Sequence, residues 1–496
     1  MRGRFAFSQG HRAGETGSHT GPGSGRTLTI LAEAPAFTLL AGCGVFLYGL
    51  EREMPAWAAC ATGVFVILFL ALSGTVSLCP CLAGTVVFLI GIFLVFSVTA
   101  ETRLELPPAD TSVSRVETTG TVITERSWGS RRAIVIKTTE GVFLCKLPTT
   151  ELFREGDRVA LAGRVRYFEP ALDSRKFDEE TYWRARGVLG QVQNPELEKQ
   201  GRFWWSFPAW RNFLKERVLL TVPQCARGYI LAAWLGARDP DLAEKHRKWG
   251  TSHILAISGF HVGIVALGLR KIARGRVLIP SLFMWGYVLL SGGAASALRA
   301  ALMFQIAFAG DLLGRPVRSV NAVSAAAMAS LFWRPWWFWD LGWRLSVTAA
   351  LVLGSFASRH GTKFFWVGIP LVWYVTGAFI SRSFGGVPVA GMIMNTFVVP
   401  LFAFLLPMLS VLVLPLLFGV PGPKIVIWLA GFFLRGFHGL AGVITRVIPL
   451  DIGAAFFPVE ATCALLVYLS FTGVNIKGAR PIVASVFAGA FAGLFV

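Results

Sequence analysis

Long apolar stretches separated by short basic gaps fill most of this chain, and one block between them follows a different rhythm. Apolar runs at 36–50, 56–73 and 81–100 predict three transmembrane helices in an N-terminal unit, 36–100. Further runs recur at 251–269, 277–294, 297–314, 319–333, 342–357, 364–381, 387–418, 425–443, 459–474 and 481–496, and they define a second transmembrane unit, 251–496. Pro388, Pro400, Pro407 and Pro415 interrupt the 387–418 run, so a single crossing and a span followed by a re-entrant half-helix are both open there.

Residues 101–200 alternate apolar with polar positions. Strands are predicted at 113–125, 131–138, 141–147, 157–166 and 187–193, with a helix over 178–186. Five short strands with one helix between the fourth and fifth follow the order of an OB-fold, a small Greek-key barrel. Its charge is balanced, with 16 basic and 16 acidic residues, so a docking role and direct strand contact both stay open. Residues 201–250 form a connector, in which FWWSFPAWRNFLKERVLLTV at 203–222 predicts an amphipathic helix lying in the membrane interface. Residues 1–35 are rich in Gly, Ser, Thr and Arg and are expected to be a disordered cytoplasmic N-terminus.

Charge orients the helices. Residues 251–496 carry 17 basic against four acidic residues. Arg270, Lys271, Arg274, Arg276, Arg315, Arg318, Arg359, Lys363, Lys424, Lys477 and Arg480 fall in gaps between runs. Counting every run as one crossing puts all of these gaps on the side of the N-terminus, the arrangement of the positive-inside rule. The block 101–200 then lies outside the cytoplasmic membrane, and WRPWWFWDLGW at 333–343 forms an outer aromatic belt. The expected fold class is a polytopic α-helical membrane protein with an extracytoplasmic all-β, OB-like domain. Arg299, Arg334, Arg344, Arg382, Arg435 and Arg446 remain unexplained by orientation, and an anionic path could use some of them. Cys79 and Cys81 have the wrong spacing for a zinc pair, so no metal and no cofactor is expected.

The chemistry concentrates in three places. GTSHILAISGFHVGIVALGLRK at 250–271 carries His253, Ser258 and His261 inside an apolar run, with Gly259 and Gly263 spaced for close helix approach. Read as one helix, it places His253, Ile257 and His261 at successive i, i+4 positions, with Ser258 and His261 as i, i+3 neighbours. A packed helix, a pore face, a local break at Ser258-Gly259 and a nucleophile–base pair all fit these residues. Arg299 sits in ALRAALM, within an apolar helix, where it must find a counter-charge, water or an anion. Asp340 and Arg344 stand at i, i+4 and are expected to pair.

These stretches, in this order, resemble ComEC-type competence proteins. The matching segments are HILAISGFHVGIVAL (253–267), SALRAALMFQIAFAGDLLGRPV (296–317), DLGWRLSVTAAL (340–351) and NTFVVPLFAFLLP (395–407). FREGDRVALAGRV (153–165) and DSRKFDEETYWRARGVLGQV (173–192) are similar to that family's OB-fold domain. The resemblance implies an inner-membrane channel that conducts single-stranded DNA into the cytoplasm during natural transformation. It implies an extracytoplasmic DNA receptor and a cytoplasmic ATP-driven translocase as partners, and it leaves room for a homo-oligomer. The metallo-β-lactamase-like domain of many members has no His-x-His-x-Asp-His counterpart in this sequence, so a separate nuclease is expected and no enzymatic activity is assigned. A transporter of another anionic solute or envelope precursor is the alternative, and an intramembrane hydrolase using Ser258 and His261 is a third reading.

Overall fold

The computed structural model describes residues 34–72, 80–104, 114–151, 153–168, 178–257, 259–360, 364–420, 423–473 and 479–493. The expected N-terminal disorder and Cys79 fall outside them. Helices α1 (Pro35–Glu51), α2 (Ala56–Leu72) and α3 (Pro80–Leu104) replace the first three apolar runs.

The alternating block folds as a closed barrel of β1 (Ser114–Trp128), β2 (Arg131–Thr138), β3 (Val142–Pro148), β4 (Asp157–Tyr167) and β5 (Gly190–Arg202). Its strand order is β1-β2-β3-β5-β4, with β4 returning to β1. β3 and β5 pair in parallel, which requires a crossover, and α4 (Glu179–Arg184) lies within that connection. Asp178 caps α4 by accepting the Thr181 amide at 3.1 Å. Strand β2 departs from simple alternation, because Ala133, Ile134, Val135 and Ile136 are all buried. Ile134 and Ile136 fill the barrel with Val122, Phe143 and Leu161. Ala133 and Val135 point outward and are covered by Trp183 of α4. Each buried isoleucine contributes roughly 1.5–3 kcal/mol through burial.

The connector forms α5 (Phe207–Thr221), α6 (Gln224–Leu235) and α7 (Pro240–Lys248). Phe203, Trp204, Trp205, Phe207, Trp210 and Phe213 stay exposed on and before α5, as an interfacial helix requires. Helices α8 (Gly259–Ile272), α9 (Leu278–Leu290), α10 (Ala295–Leu312), α11 (Ser319–Trp333), α12 (Leu341–His360) and α13 (Phe364–Phe384) follow. Then come α14 (Val389–Leu417), α15 (Pro423–Val447), α16 (Val459–Gly473) and α17 (Ala479–Gly493). A short ladder, β6 (Val387–Pro388) with β7 (Asp451–Ile452), ties the start of α14 to the segment after α15.

Thr85–Leu104, Val389–Leu417 and Ile427–Val447 are long and apolar enough to cross a membrane. Many of the other apolar helices are shorter than the ~20 residues of a full span. The proline-rich run is one helix of 29 residues that contains Pro400, Pro407 and Pro415. Two large cores result. One joins α1, α2 and α3 to α11, α12 and the turn Pro335–Phe338. The other joins α6 and α7 to α14 and α15, and α8 to α10 form a cluster of their own.

Candidate functional site

The segment 250–271 is not one helix. Ser252–Leu255 forms a 3₁₀ turn and Ala256 is extended, so α8 begins only at Gly259. His253 therefore sits exposed on the turn rather than one helical face away from His261. Ser258 lies outside the described residues, as does the side chain of His261. A local break, one of the readings open for this segment, does precede Phe260, but the described part of it falls at Ser252–Ala256 rather than at Ser258-Gly259. The two glycines do bring another helix close. A Cβ at Gly259 would lie 3.2 Å from the Ala300 Cβ, and one at Gly263 would lie 2.5 Å from Phe304 Cζ. Both contacts advance by four residues, so α8 and α10 run side by side in the same direction.

Arg299, one residue before Ala300, is only 1% exposed. Its Nη1 and Nη2 have no hydrogen-bond partner among the described residues. Asp340 is the acidic group whose charge reaches it. A buried guanidinium with two unsatisfied nitrogens is costly, and such groups usually await water or an anion. Gln305 on the same helix and Asn395 on α14 also carry buried, unpartnered amide oxygens. Among the described residues, these buried polar atoms have no protein partner.

Asp340 and Arg344 do not pair with each other. Asp340 caps α12 by accepting the Trp343 amide at 3.0 Å, and its other oxygen lies 3.4 Å from Arg186 Nη1. Arg344 donates to the Phe338 carbonyl at 2.6 Å and faces Glu51 at the end of α1 at 3.6 Å. Tertiary partners outcompete the local i, i+4 contact here, which is worth only about 0.2–0.5 kcal/mol.

The contact of Asp340 with Arg186 opens onto a feature that the sequence did not disclose. The barrel docks on the helical domain through α4 and the turn after it. Trp337 Nε1 and Arg334 Nη1 donate to the Ala185 carbonyl at 2.7 and 3.2 Å, and Arg184 stacks 5.1 Å from the Trp336 ring. Gly187, at φ +80°, is needed because a Cβ there would lie 2.8 Å from Arg334 Nη2. Beside this seam, Arg126 donates to the Tyr182 hydroxyl at 2.8 Å, and the Arg186 guanidinium lies 3.5 Å from the Tyr182 ring centroid. Arg238, in the turn before α7, is within electrostatic reach of Arg126, Arg186 and Tyr182.

Desolvation lowers the affinity of Arg186 and Arg238 for their protons. Arg126 opposes both charges, whereas Tyr182, and for Arg186 also Asp340, offset part of the effect. All three arginines nevertheless keep solvent-accessible edges, and a guanidinium stays charged throughout the physiological range. The three guanidinium groups and the Tyr182 ring form a basic, aromatic cluster beside the seam, with Asp340 linking it toward Arg299. Among the described residues, no group of three or more His, Cys, Asp or Glu could hold a metal ion.

Comparison with known proteins places part of the chain. Residues 235–480 match the family described as competence protein. Over 146 residues the chain is 35% identical to ComE operon protein 3 of Bacillus subtilis (strain 168), an alignment covering 27% of this chain and 19% of that protein. The match therefore spans about a fifth of that relative's length. No solved structure matches the chain.

Proposed function

On the premise that residues 235–480 are a competence protein domain, we propose that this chain conducts single-stranded DNA across the cytoplasmic membrane during natural transformation. The cluster of Arg126, Arg186, Arg238 and Tyr182 beside the seam between the barrel and the helical domain is the observation that carries this reading. A single strand is a polyanion with flat bases, and its binding sites combine guanidinium groups with aromatic rings. Arg126, Arg186 and Arg238 supply the first, and Tyr182, tilted against Trp128 at 5.2 Å, supplies the second. The barrel's strand order, with β3 parallel to β5, fits an OB-fold.

In this reading the barrel stands outside the membrane and delivers the strand to that arginine cluster. The polytopic helical domain keeps the N-terminus cytoplasmic, and Arg299 offers a further electrostatic step below Asp340. Guidance is electrostatic and needs no covalent chemistry. An extracytoplasmic receptor would hand over the DNA and an ATP-driven translocase would pull it. Weak, multiple sites suit conduction better than one tight site.

Uptake of labelled single-stranded DNA, compared in cells with and without the chain, tests the proposal. Deletion is expected to abolish uptake. Changing Arg126, Arg186 and Arg238 together to Gln is expected to lower uptake about tenfold or more and to flatten its dependence on salt. Normal transformation after deletion would refute the channel.

A further inference from the structure

Helix α15 carries a charge where a lipid-facing helix should have none. Its apolar span is Ile427–Val447, and Arg435 is exposed within it. At 1.5 Å per residue, Arg435 lies about 12 Å from one end of the span and about 18 Å from the other, too far inside for the snorkelling open to residues at helix ends. No hydrogen bond or ion pair reaches it among the described residues. The helix exposes one broad face, and its two edges differ. Leu429, Phe433 and Leu440 form an apolar one suited to lipid. Arg435, Gly439, Gly442 and Arg446 lie along the other, together with the exposed rings of Trp428 and Phe432, and a Cβ at Gly436, Gly439 or Gly442 would meet nothing within 4 Å.

The wall beside that second edge is polar. His438, one turn beyond Arg435, accepts or donates at 2.7 Å to the Tyr229 hydroxyl, which lies 2.9 Å from His246 Nε2. His246 Nδ1 meets Thr251 Oγ1 at 2.8 Å, so this buried chain of bonds anchors α7 against α15. Helix α7 is densely charged, and Asp241, Glu244, Lys245, Arg247 and Lys248 are exposed on it. Lys245 is in electrostatic contact with His438, and Arg247 with Asp451 just past the end of α15. His438 is about 13 Å inside the apolar span. A solvated, charged helix at that depth is incompatible with hydrocarbon on that side. Arg238, just before α7, belongs to the arginine cluster beside the seam with the barrel, so the charged wall begins there.

We propose that the Arg435 face of α15 and the basic last turn of α7 wall a water-filled cleft that opens toward the barrel, and that Arg435 binds a phosphodiester anion at its floor. The assignment of that anion to a DNA strand rests on the channel reading above; the cleft and its anion preference do not. Lipid fits the Leu429 edge, but it leaves Arg435 without solvation. A strand supplies both charge and water.

Gly439→Cys, in a background with all native cysteines replaced, tests this in the full chain in membrane vesicles, because the added side chain enters open space. Charged, membrane-impermeant thiol reagents are expected to label the introduced thiol, the anionic reagent several-fold faster than the cationic one. Adding Arg435→Gln should erase that preference. Phe433→Cys on the lipid edge should react only with a lipid-soluble maleimide. An inert thiol in the Gly439→Cys chain, or a preference unchanged by Arg435→Gln, overturns the cleft. Single-stranded DNA should slow labelling of the Gly439→Cys chain. If labelling keeps its anion preference but DNA does not slow it, the cleft stands and its occupancy by a DNA strand falls.

Discussion

Replacing Arg299 by Met separates two explanations for a buried guanidinium. Either it holds the fold together, or it is kept for a ligand at the expense of stability. Arg299 is 1% exposed, and two of its nitrogens have no partner among the described residues. An unsatisfied buried polar group costs about 1–3 kcal/mol, so the two nitrogens burden the fold by roughly 2–6 kcal/mol, less what Asp340 returns through space. Met keeps most of the stem volume and needs no partner. Exchanging buried charge for apolar volume typically gains about 1–4 kcal/mol. The variant should therefore unfold at the same temperature as the parent or higher, measured by thermal unfolding in detergent. Strand uptake by cells carrying it should fall about tenfold, the loss expected for roughly 1.4 kcal/mol of anion stabilisation. Arg299→Lys should recover little of it, since an ammonium lacks the bidentate fork. A clear drop in unfolding temperature would show that the arginine is structural, and full uptake in a stable variant would remove it from the path.

The His246 imidazole is fully buried and, mainly through that burial, its pKa is pushed down to about 4 from the usual 6.5. The unfolded chain therefore binds the proton first, and stability should be complete above about pH 6.5 and fall by about 3 kcal/mol as pH drops toward 4. Thermal unfolding of the parent and of His246→Gln across that range checks this: the variant should lose most of the slope, and an equal slope would refute the assignment. Gly263→Ala forces Phe304 aside and should destabilise by about 1–3 kcal/mol. Adding Phe304→Leu should restore part of the loss in the same unfolding assay; no recovery would mean that the α8–α10 approach is not what the glycine protects.

How much of this could be read beforehand depended on the range of the interactions. Strands β1 to β5 follow from alternation and turns, which are local. β2 and β3 disobey, because Trp183 covers Ala133, Val135 and Leu144 on their outer side from a helix some forty to fifty residues on. Gly259 and Gly263 were legible as a close-approach motif, although their partners Ala300 and Phe304 were not. The break at Ser252–Ala256 is invisible to hydropathy, since a 3₁₀ turn and a helix can share the same apolar composition. The Asp340–Arg344 pair failed because both side chains have distant partners, Arg186 and Glu51, that an i, i+4 rule does not consider. The cluster at the seam draws Arg126, Arg186 and Arg238 from three separate segments, so no spacing could have announced it. Arg435 stood out only as a basic residue that orientation did not explain, and its meaning came from the exposed face around it.

Helix α14 has one more property that its composition conceals. Each proline within it removes an amide proton and leaves the carbonyl four residues earlier without its usual donor. Pro400, Pro407 and Pro415 thereby free the carbonyls of Thr396, Ala403 and Val411. Those positions recur every seven or eight residues, so the three oxygens fall along one side of the rod. A helix without a single ionisable residue, long and apolar enough to cross a membrane, thus carries a file of partial negative charges along one side. Hydroxyls, water and cations are attracted to such a file, and phosphate is repelled by it.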